Sequence, residues 1–203
     1  LAGSRVVAGD VKADMNQLWN GVTRADAIRK IGGDPTRITE AVRPKGAHHC
    51  YLELHIEQGA TLDRENIAVG VVEGIVAIHR YDVTVSGVAN HARSTAMGDR
   101  HDPLLAASRL NIAVNDVVAA EPGRQVGTVG RLDVTPNVPN VIPGVARLTI
   151  ELRDLSTEKL TILAEMIRRR AAEIQQQSRT SIELTLANST APANAALEAQ
   201  QAI

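Results

Sequence analysis

Apolar and polar residues alternate along several stretches of the second half of the chain, which is the pattern of half-buried strands. The first of these stretches begins at Tyr81, where Tyr81, Val83 and Val85 alternate with polar residues. The same alternation predicts three further strands at about Gln125–Val134, Val145–Arg153 and Ser181–Ala187. The last of them is expected to bury Ile182, Leu184 and Leu186.

Two stretches between these strands repeat their apolar residues every three or four positions, which predicts amphipathic helices. Asp102 can cap the first, which opens at Pro103 and runs to Glu121, and the second covers about Thr157–Ser178. The order is strand, helix, strand, strand, helix, strand. It packs most simply as a ferredoxin-like βαββαβ unit of the α/β (α+β) class, with a four-stranded antiparallel sheet and two helices on one face.

The first part of the chain, to about Ile78, is a mixed region. Thr23 is expected to cap a short helix over Arg24–Ile31. Alternation over Tyr51–Ile56 predicts a half-buried strand, and the nearly all-apolar stretch Ile67–Ile78 predicts a strand covered on both sides. We accordingly expect Cys50 to be a core residue rather than a nucleophile. A single cysteine cannot form an internal disulfide, which fits a cytoplasmic location.

Composition narrows the range of partners. The chain has no Phe, one Trp and two Tyr, so aromatic stacking on nucleic-acid bases is nearly excluded. A net charge of −1 provides no field that would attract nucleic acid or an anionic membrane surface. No apolar run approaches the roughly 20 residues that span a bilayer. A small molecule or another protein is therefore the expected partner.

Four polar residues stand out as candidates for chemistry. His55 lies in Glu-Leu-His-Ile-Glu-Gln-Gly, and a neutral imidazole is a common zinc ligand, although a lone histidine is more often a solvent-facing residue. His91, in Asn-His-Ala, follows a strand and lies in a polar loop, where a histidine is by itself a surface residue. Arg153 offers a planar fork that matches a carboxylate, and Asn140 can add a directed hydrogen bond. Arg153 could instead pair with a neighbouring acidic residue, Asp154 or Glu151.

Three segments occur in a characteristic order: Tyr51–Gly59, Asn90–Ala92, and Pro136–Gly144 leading into Arg153. Together they resemble the hydantoinase/carbamoylase family of metal-dependent amidases. That family includes N-carbamoyl-L-amino acid hydrolases, allantoate amidohydrolases and β-ureidopropionases, and it belongs to the aminoacylase/carboxypeptidase superfamily. The resemblance runs over essentially all 203 residues.

The resemblance implies a role for each candidate. By the match, His55 is a metal ligand and Gln58 contacts the substrate. His91 reaches from a lid domain to the scissile carbonyl, where an imidazole N–H can stabilise the developing oxyanion charge, and it is the catalytic residue of the set. Asn140 and Arg153 bind the carboxylate of the substrate.

Three positions depart from the pattern that relatives usually show. Arg93 stands where they have glycine, Ala96 where they have proline, and Glu151 where they often have aspartate. A large cation at position 93 could alter the choice of substrate or the backbone of the loop.

The resemblance also implies a division of the chain. Residues 1–79 would be part of a zinc-peptidase-like catalytic domain, residues 80–190 the lid and dimerisation domain, and residues 191–203 the start of the return into the catalytic domain. On this interpretation the chain is an internal piece that forms homodimers through the lid.

The implied activity is hydrolysis of the carbamoyl or ureido C–N bond with two bridged divalent metals, zinc or manganese. Only His55 matches a ligand, so the 203-residue chain alone is expected to be inactive. Two alternatives stay open: a non-catalytic dimerisation module, whose edge strands pair between copies, and a related metallo-aminoacylase or peptidase.

Overall fold

The computed structural model describes residues 2–10 and 14–203, and the chain divides into two units between Arg64 and Glu65. The first unit is made of short elements. They are α1 (Ala2–Val7), β1 (Leu18–Trp19), β2 (Val22–Thr23), α2 (Arg24–Lys30), a 3-10 helix (Pro35–Ala41) and α3 (Thr61–Arg64).

The predicted cap of α2 is confirmed. The hydroxyl of Thr23 accepts from the amide of Asp26 at 3.0 Å, which satisfies one of the free amides of the first turn. The helix ends at Lys30, one residue before the predicted end, and Gly32 then adopts φ +85°. Such a φ is readily available to glycine, which explains why the helix stops here.

The strand predicted at Tyr51–Ile56 is wrong. Residues 51–57 have no regular secondary structure, and Leu54 is 97% exposed. A strand needs a neighbouring backbone to satisfy its amides and carbonyls, and none of the strands in residues 2–10 and 14–203 pairs with this segment. Cys50 is exposed as well, which corrects its predicted place in a core.

The strand predicted over Ile67–Ile78 is also wrong for most of its length. Residues 67–73 form no strand, and Val69 and Val72 are exposed. Only the last part, from Gly74, takes up strand structure, and there Ala77 is fully buried.

The second unit contains the longer elements. They are β3 (Gly74–Ile75), β4 (Ala77–Ser86), β5 (Asn90–His91), a 3-10 helix (Met97–Asp99), α4 (Pro103–Ala120), β6 (Val126–Thr135), β7 (Val141–Ile142), β8 (Val145–Asp154), α5 (Thr157–Ser178), β9 (Ser181–Thr190), β10 (Ala193–Asn194) and α6 (Leu197–Ala202).

A four-stranded antiparallel sheet in the order β6-β8-β4-β9 confirms the predicted ferredoxin-like arrangement. Asp102 caps α4 as expected, since its Oδ1 accepts from the amides of Leu104 and Leu105. Both α4 and α5 pack on one face of the sheet and bury their apolar stripes there. The largest fully buried side chains are aliphatic: Leu110, Ile150, Leu152, Leu160, Leu163 and Ile167.

The opposite face of the sheet presents polar side chains such as Arg80 and Arg153; we call it the open face. On β8, Leu148, Ile150 and Leu152 point toward the helices, so Glu151 and Arg153 project from the open face. Along β9, Ile182 and Leu184 pack against the core. Leu186 is 49% exposed, contrary to expectation, at the outer edge of the sheet.

Each outer strand contains one extra residue relative to its neighbour. Gly130 is the extra residue of β6, between Val129 and Arg131. Ala187 is the extra residue of β9, because Tyr81 pairs with Leu186 while the preceding residue of β4 pairs with Asn188. Such bulges increase strand twist and interrupt the ladder.

Among the helices of residues 2–10 and 14–203, none is both long enough and apolar enough to cross a bilayer.

Candidate active site

His91 and Asn140 are brought together by a short antiparallel ribbon at one end of the sheet. In this ribbon β5 pairs with β7, with His91 opposite Val141, and the amide of Ala92 donates to the carbonyl of Asn140 at 3.0 Å. Both candidate residues are exposed. Two motifs that are far apart in the sequence therefore lie side by side in the fold.

The loop after β5 fixes the protonation pattern of the His91 ring. The amide of Arg93 donates to Nδ1 of His91 at 3.1 Å, so Nδ1 is the acceptor nitrogen. In the neutral imidazole the proton then resides on Nε2, which faces no described acceptor and can donate to a ligand. The Thr95 amide and hydroxyl both donate to the carbonyl of His91 and close the turn.

Arg100 clamps this loop, a role that sequence reasoning missed. Its guanidinium donates to the carbonyl of Ala92 at 2.6 Å and to that of Thr95 at 3.2 Å. Arg100 is partly buried, so these bonds are better shielded from water than those of an exposed side chain. No periodic pattern marks such a residue, because its partners are backbone carbonyls of an irregular loop.

Arg153 lies near the end of β8 on the open face, with its side chain 46% exposed. Its Nε donates to Oε1 of Glu151 at 2.7 Å, and the Nε of Arg80 donates to Oε2 of Glu151 at 2.9 Å. The hydrogen bond from Arg80, followed by that from Arg153, lowers the pKa of the Glu151 carboxyl below its usual range, although partial burial opposes the shift. Glu151 is therefore a bridge between two arginines.

The fold separates Arg153 from His91 and Asn140. At the end of β8 nearest the ribbon, Val145 pairs with Ser86, whereas Arg153 pairs with Ile78 at the other end. Eight residues of extended strand between Val145 and Arg153 cover about 26 Å. In one copy of the chain, the candidate carboxylate-binding arginine and the candidate oxyanion donor thus lie at opposite ends of the sheet.

His55 and Gln58 belong to the first unit, and both are exposed. Nδ1 of His55 lies 2.6 Å from the carbonyl oxygen of Ile56. Since a carbonyl only accepts, Nδ1 carries the proton and Nε2 keeps its lone pair, as in a typical metal-binding histidine. Gln58 has φ +57°, a left-handed conformation that non-glycine residues seldom adopt.

Glu57 lies in the same segment but is not among the candidates singled out from the sequence, and it caps α3. Its carboxylate oxygens accept from the amides of Thr61 at 2.8 Å and Leu62 at 3.1 Å. The segment that carries His55 and Gln58 is thereby fixed to a helix start rather than to a sheet.

The donor set for a metal is incomplete in the described part of the chain. Within residues 2–10 and 14–203, no group of three or more His, Cys, Asp or Glu side chains is arranged to hold a metal ion. One imidazole cannot hold two bridged metals, which need several histidine and carboxylate ligands. The described residues by themselves therefore do not fit a complete two-metal centre.

Two depressions adjoin the candidate residues. One, of about 770 Å³, lies on the open face and is lined by Arg80, Glu151 and Arg153 among others. The second, of about 430 Å³, lies beside the ribbon and is lined by Ala92, Val141 and other largely apolar residues. Both lie within the second unit.

The chain is similar to proteins named as amidohydrolases. It is 38% identical to an N-carbamoyl-L-amino acid amidohydrolase of Geobacillus stearothermophilus over 160 residues, which are 78% of this chain and 39% of that protein. It is 36% identical to an allantoate amidohydrolase of Escherichia coli over 128 residues, which are 63% of this chain and 31% of that protein. No protein-family model matches the chain.

Solved structures show the same relationship. A crystal structure of a hydantoinase/carbamoylase family amidase from Burkholderia multivorans superimposes with a TM-score of 0.82 at 30% identity, and the match covers 99% of this chain and 49% of that one. The chain thus spans about half the length, or less, of the proteins it matches. Over that span, the chain belongs to the hydantoinase/carbamoylase family of amidases.

Proposed function

We propose that the protein containing this chain is a metal-dependent amidohydrolase that cleaves the carbamoyl or ureido C–N bond of N-carbamoyl-L-amino acids or allantoate-like compounds. The support is the similarity to proteins named N-carbamoyl-L-amino acid amidohydrolase and allantoate amidohydrolase. The observation that carries the proposal is the ribbon that holds His91 beside Asn140, with Nδ1 of His91 bound by the Arg93 amide.

His91 is proposed to stabilise the negative charge that develops on the carbonyl oxygen. Its Nδ1 accepts from the Arg93 amide, so Nε2–H is the available donor. A donor that is already oriented costs little reorganisation when the charge appears, and this is the basis of oxyanion stabilisation. Closure of the lid would bring this imidazole onto the substrate.

Arg153 and Asn140 are proposed to bind the substrate carboxylate, and Gln58 to contact the substrate from the first unit. A guanidinium fork presents two parallel donors to a carboxylate, and a side-chain amide adds a third with a defined direction. The open-face depression beside Arg153 leaves room for such a group.

A homodimer through the lid is part of the proposal. Arg153 and the His91 ribbon lie at opposite ends of one sheet, so one copy alone does not assemble them around a small substrate. Two copies related by symmetry would let the ribbon of one complete the site that contains the Arg153 of the other. β6 and β9, the outer strands, are the edges available for this association.

His55 is proposed as one ligand of a divalent metal, zinc or manganese, two of which would occupy a complete site. The hydrogen bond from Nδ1 to the Ile56 carbonyl leaves Nε2 free to coordinate. The remaining ligands are not found as a cluster in the described residues.

Replacement of His91 tests the proposal in the natural protein that contains this sequence. With N-carbamoyl-L-alanine or allantoate as substrate, His91→Ala should lower kcat by about 10²–10³, the usual cost of losing an oxyanion donor. His48→Ala changes another exposed histidine and should leave kcat unaltered. Equal turnover by the two variants would contradict the role of His91.

Activity measurements on the same protein also distinguish the proposed enzyme from the alternative, a non-catalytic dimerisation module. An enzyme should release ammonia from these substrates and lose that activity when a chelator removes its metal. A dimer that shows no turnover with any of these substrates, with zinc or manganese supplied, would favour the module.

A further inference from the structure

Three charged side chains form a connected row on the open face of the sheet. Arg80 of β4 and Glu151 of β8 stand directly opposite each other in the strand register, and Arg153 follows two residues later on the same face of β8. Arg80 holds Oε2 of Glu151, while Arg153 holds Oε1. Each oxygen of the carboxylate is therefore bound by a different arginine.

This row leaves one net positive charge and one open edge. Two guanidinium groups face a single carboxylate, so half of the arginine charge stays uncompensated. Glu151 occupies the Nε and Nη2 edge of Arg153. Nη1 of Arg153 has no acceptor among the residues that the structure describes, so its end-on edge remains available for a ligand carboxylate.

We propose that Arg80 is a positioning residue for carboxylate binding, since by sharing Glu151 it keeps the Arg153 guanidinium both oriented and net positive. This inference rests on the proposed role of Arg153 and extends it to a residue that does not touch the substrate. Without Arg80, Glu151 would neutralise Arg153 alone, and an incoming carboxylate would meet a pair with no net charge. Arg80 therefore favours substrates that carry a free carboxylate over analogues in which that carboxylate is replaced by an uncharged amide.

Kinetics of the natural protein that contains this sequence test the inference. Arg80→Met should raise KM for N-carbamoyl-L-alanine by about two- to fivefold, the range expected for a partly exposed charge pair, and should leave kcat unchanged. KM for N-carbamoyl-L-alaninamide, which lacks the carboxylate, should not change. Arg80 is 46% exposed, so its loss is expected to be compatible with folding, and a thermal unfolding curve checks this.

A matched control removes a positive charge elsewhere on the same face. Arg147 lies on β8, six residues before Arg153, and has no ion pair in the described part of the chain. Arg147→Met should leave KM for both compounds unaltered. In a Glu151→Gln background, Arg80→Met should also lose its effect, because no carboxylate remains for Arg80 to share.

Binding without turnover gives a second readout on the 203-residue chain. The side-chain Nε resonance of Arg153 should shift on titration with N-carbamoylglycine, and the midpoint should rise by the same two- to fivefold in Arg80→Met. An unchanged midpoint and an unchanged KM in Arg80→Met, with a raised KM in Arg153→Lys, would overturn the role of Arg80 alone. An unchanged KM in Arg153→Lys would overturn the carboxylate site itself and this inference with it.

Discussion

At the scale of single residues, the two roles that the sequence presented as alternatives for Arg153 are compatible with each other. It pairs with Glu151, as a surface arginine would, through Nε and Nη2. Nη1 of the same side chain has no acceptor among the residues that the structure describes, and Arg153 lines the depression on the open face. The ion pair orients the fork and does not exclude binding of a carboxylate.

Replacing Arg153 with lysine should therefore be costly although it keeps the charge. Lysine lacks the planar fork, so in the natural protein that contains this sequence kcat/KM should fall by at least about 1–3 kcal/mol equivalent. Steady-state kinetics with an N-carbamoyl amino acid measure this. Arg147→Lys, on the same strand, should have no effect, and an unchanged efficiency in Arg153→Lys would rule out the role.

Glu151 makes stability depend on pH. Arg80 and then Arg153 lower the pKa of its carboxyl in the folded chain, so the charged form stabilises folding above the unfolded pKa of about 4.3 and this contribution is lost as the pH falls through the folded value. Glu151→Gln should lower the free energy of unfolding at pH 7, and the difference from the unsubstituted chain should shrink in acid. Urea unfolding at several pH values measures it. A difference that grows toward low pH would contradict this sign.

Arg100 should affect the reaction without touching the substrate. Its two bonds hold the loop around His91, and Arg100→Lys keeps the charge but cannot reach both carbonyls with one fork. We expect kcat to fall about tenfold or more, with little change in KM, because a small displacement of a catalytic group is expensive. Arg109→Lys, an exposed change on α4, is the control. Equal kcat values for the two variants would show that the loop holds His91 without Arg100.

At the scale of elements, the two long helices and the four strands of the main sheet were predictable because each buries most of its apolar face in the same unit. The short ribbon strands β5 and β7 were not predicted. Val83 and Val85 alternate with polar residues and are buried as that pattern requires. Leu52 and Leu54 follow the same alternation but stay exposed. Alternation indicates that one face of a strand would be buried, but it does not show that a neighbouring strand is present to pair with it.

The position of the candidate residues in the fold was predictable only from the motifs and from the alternation of side chains along a strand. The alternation of side chains along β8 places Arg153 on the polar face of the strand, and the Asn-His-Ala motif singles out His91. The clamp by Arg100 and the bridge from Arg80 depend on loop folding and on the register between β4 and β8, which no local pattern specifies. The distance from Arg153 to the His91 ribbon follows instead from the length of β8.

The cap of α4 gives a prediction at this scale. Asp102 accepts from two amides of the first turn, so Asp102→Ala should lower the free energy of unfolding by about 1 kcal/mol, the usual cost of losing a cap. Asp116→Ala, at an exposed position within the same helix, should cost little. Denaturant unfolding of both variants makes the comparison, and equal values would show that the cap contributes nothing.

For the whole molecule, the 203-residue chain should fold through its second unit yet hydrolyse no N-carbamoyl amino acid, even with zinc, manganese or cobalt supplied. The core lies within that unit, whereas the donors for two metals do not come together among the described residues. Circular dichroism and an ammonia-release assay on the purified chain test both halves of this statement. Turnover that a chelator and His55→Ala both abolish would contradict it.

The bulges in the two outer strands decide how the sheet can meet other chains. Each bulge breaks the regular row of amides and carbonyls at Gly130 or Ala187, so a foreign strand cannot add along a full edge. The longest uninterrupted stretch of β9 is Ser181–Leu186 and that of β6 is Arg131–Thr135, so each edge offers only a short stretch for pairing with a second copy. The bulges therefore oppose open-ended pairing of sheets edge to edge, which would build fibres. They still permit a dimer in which two strands pair in one fixed register.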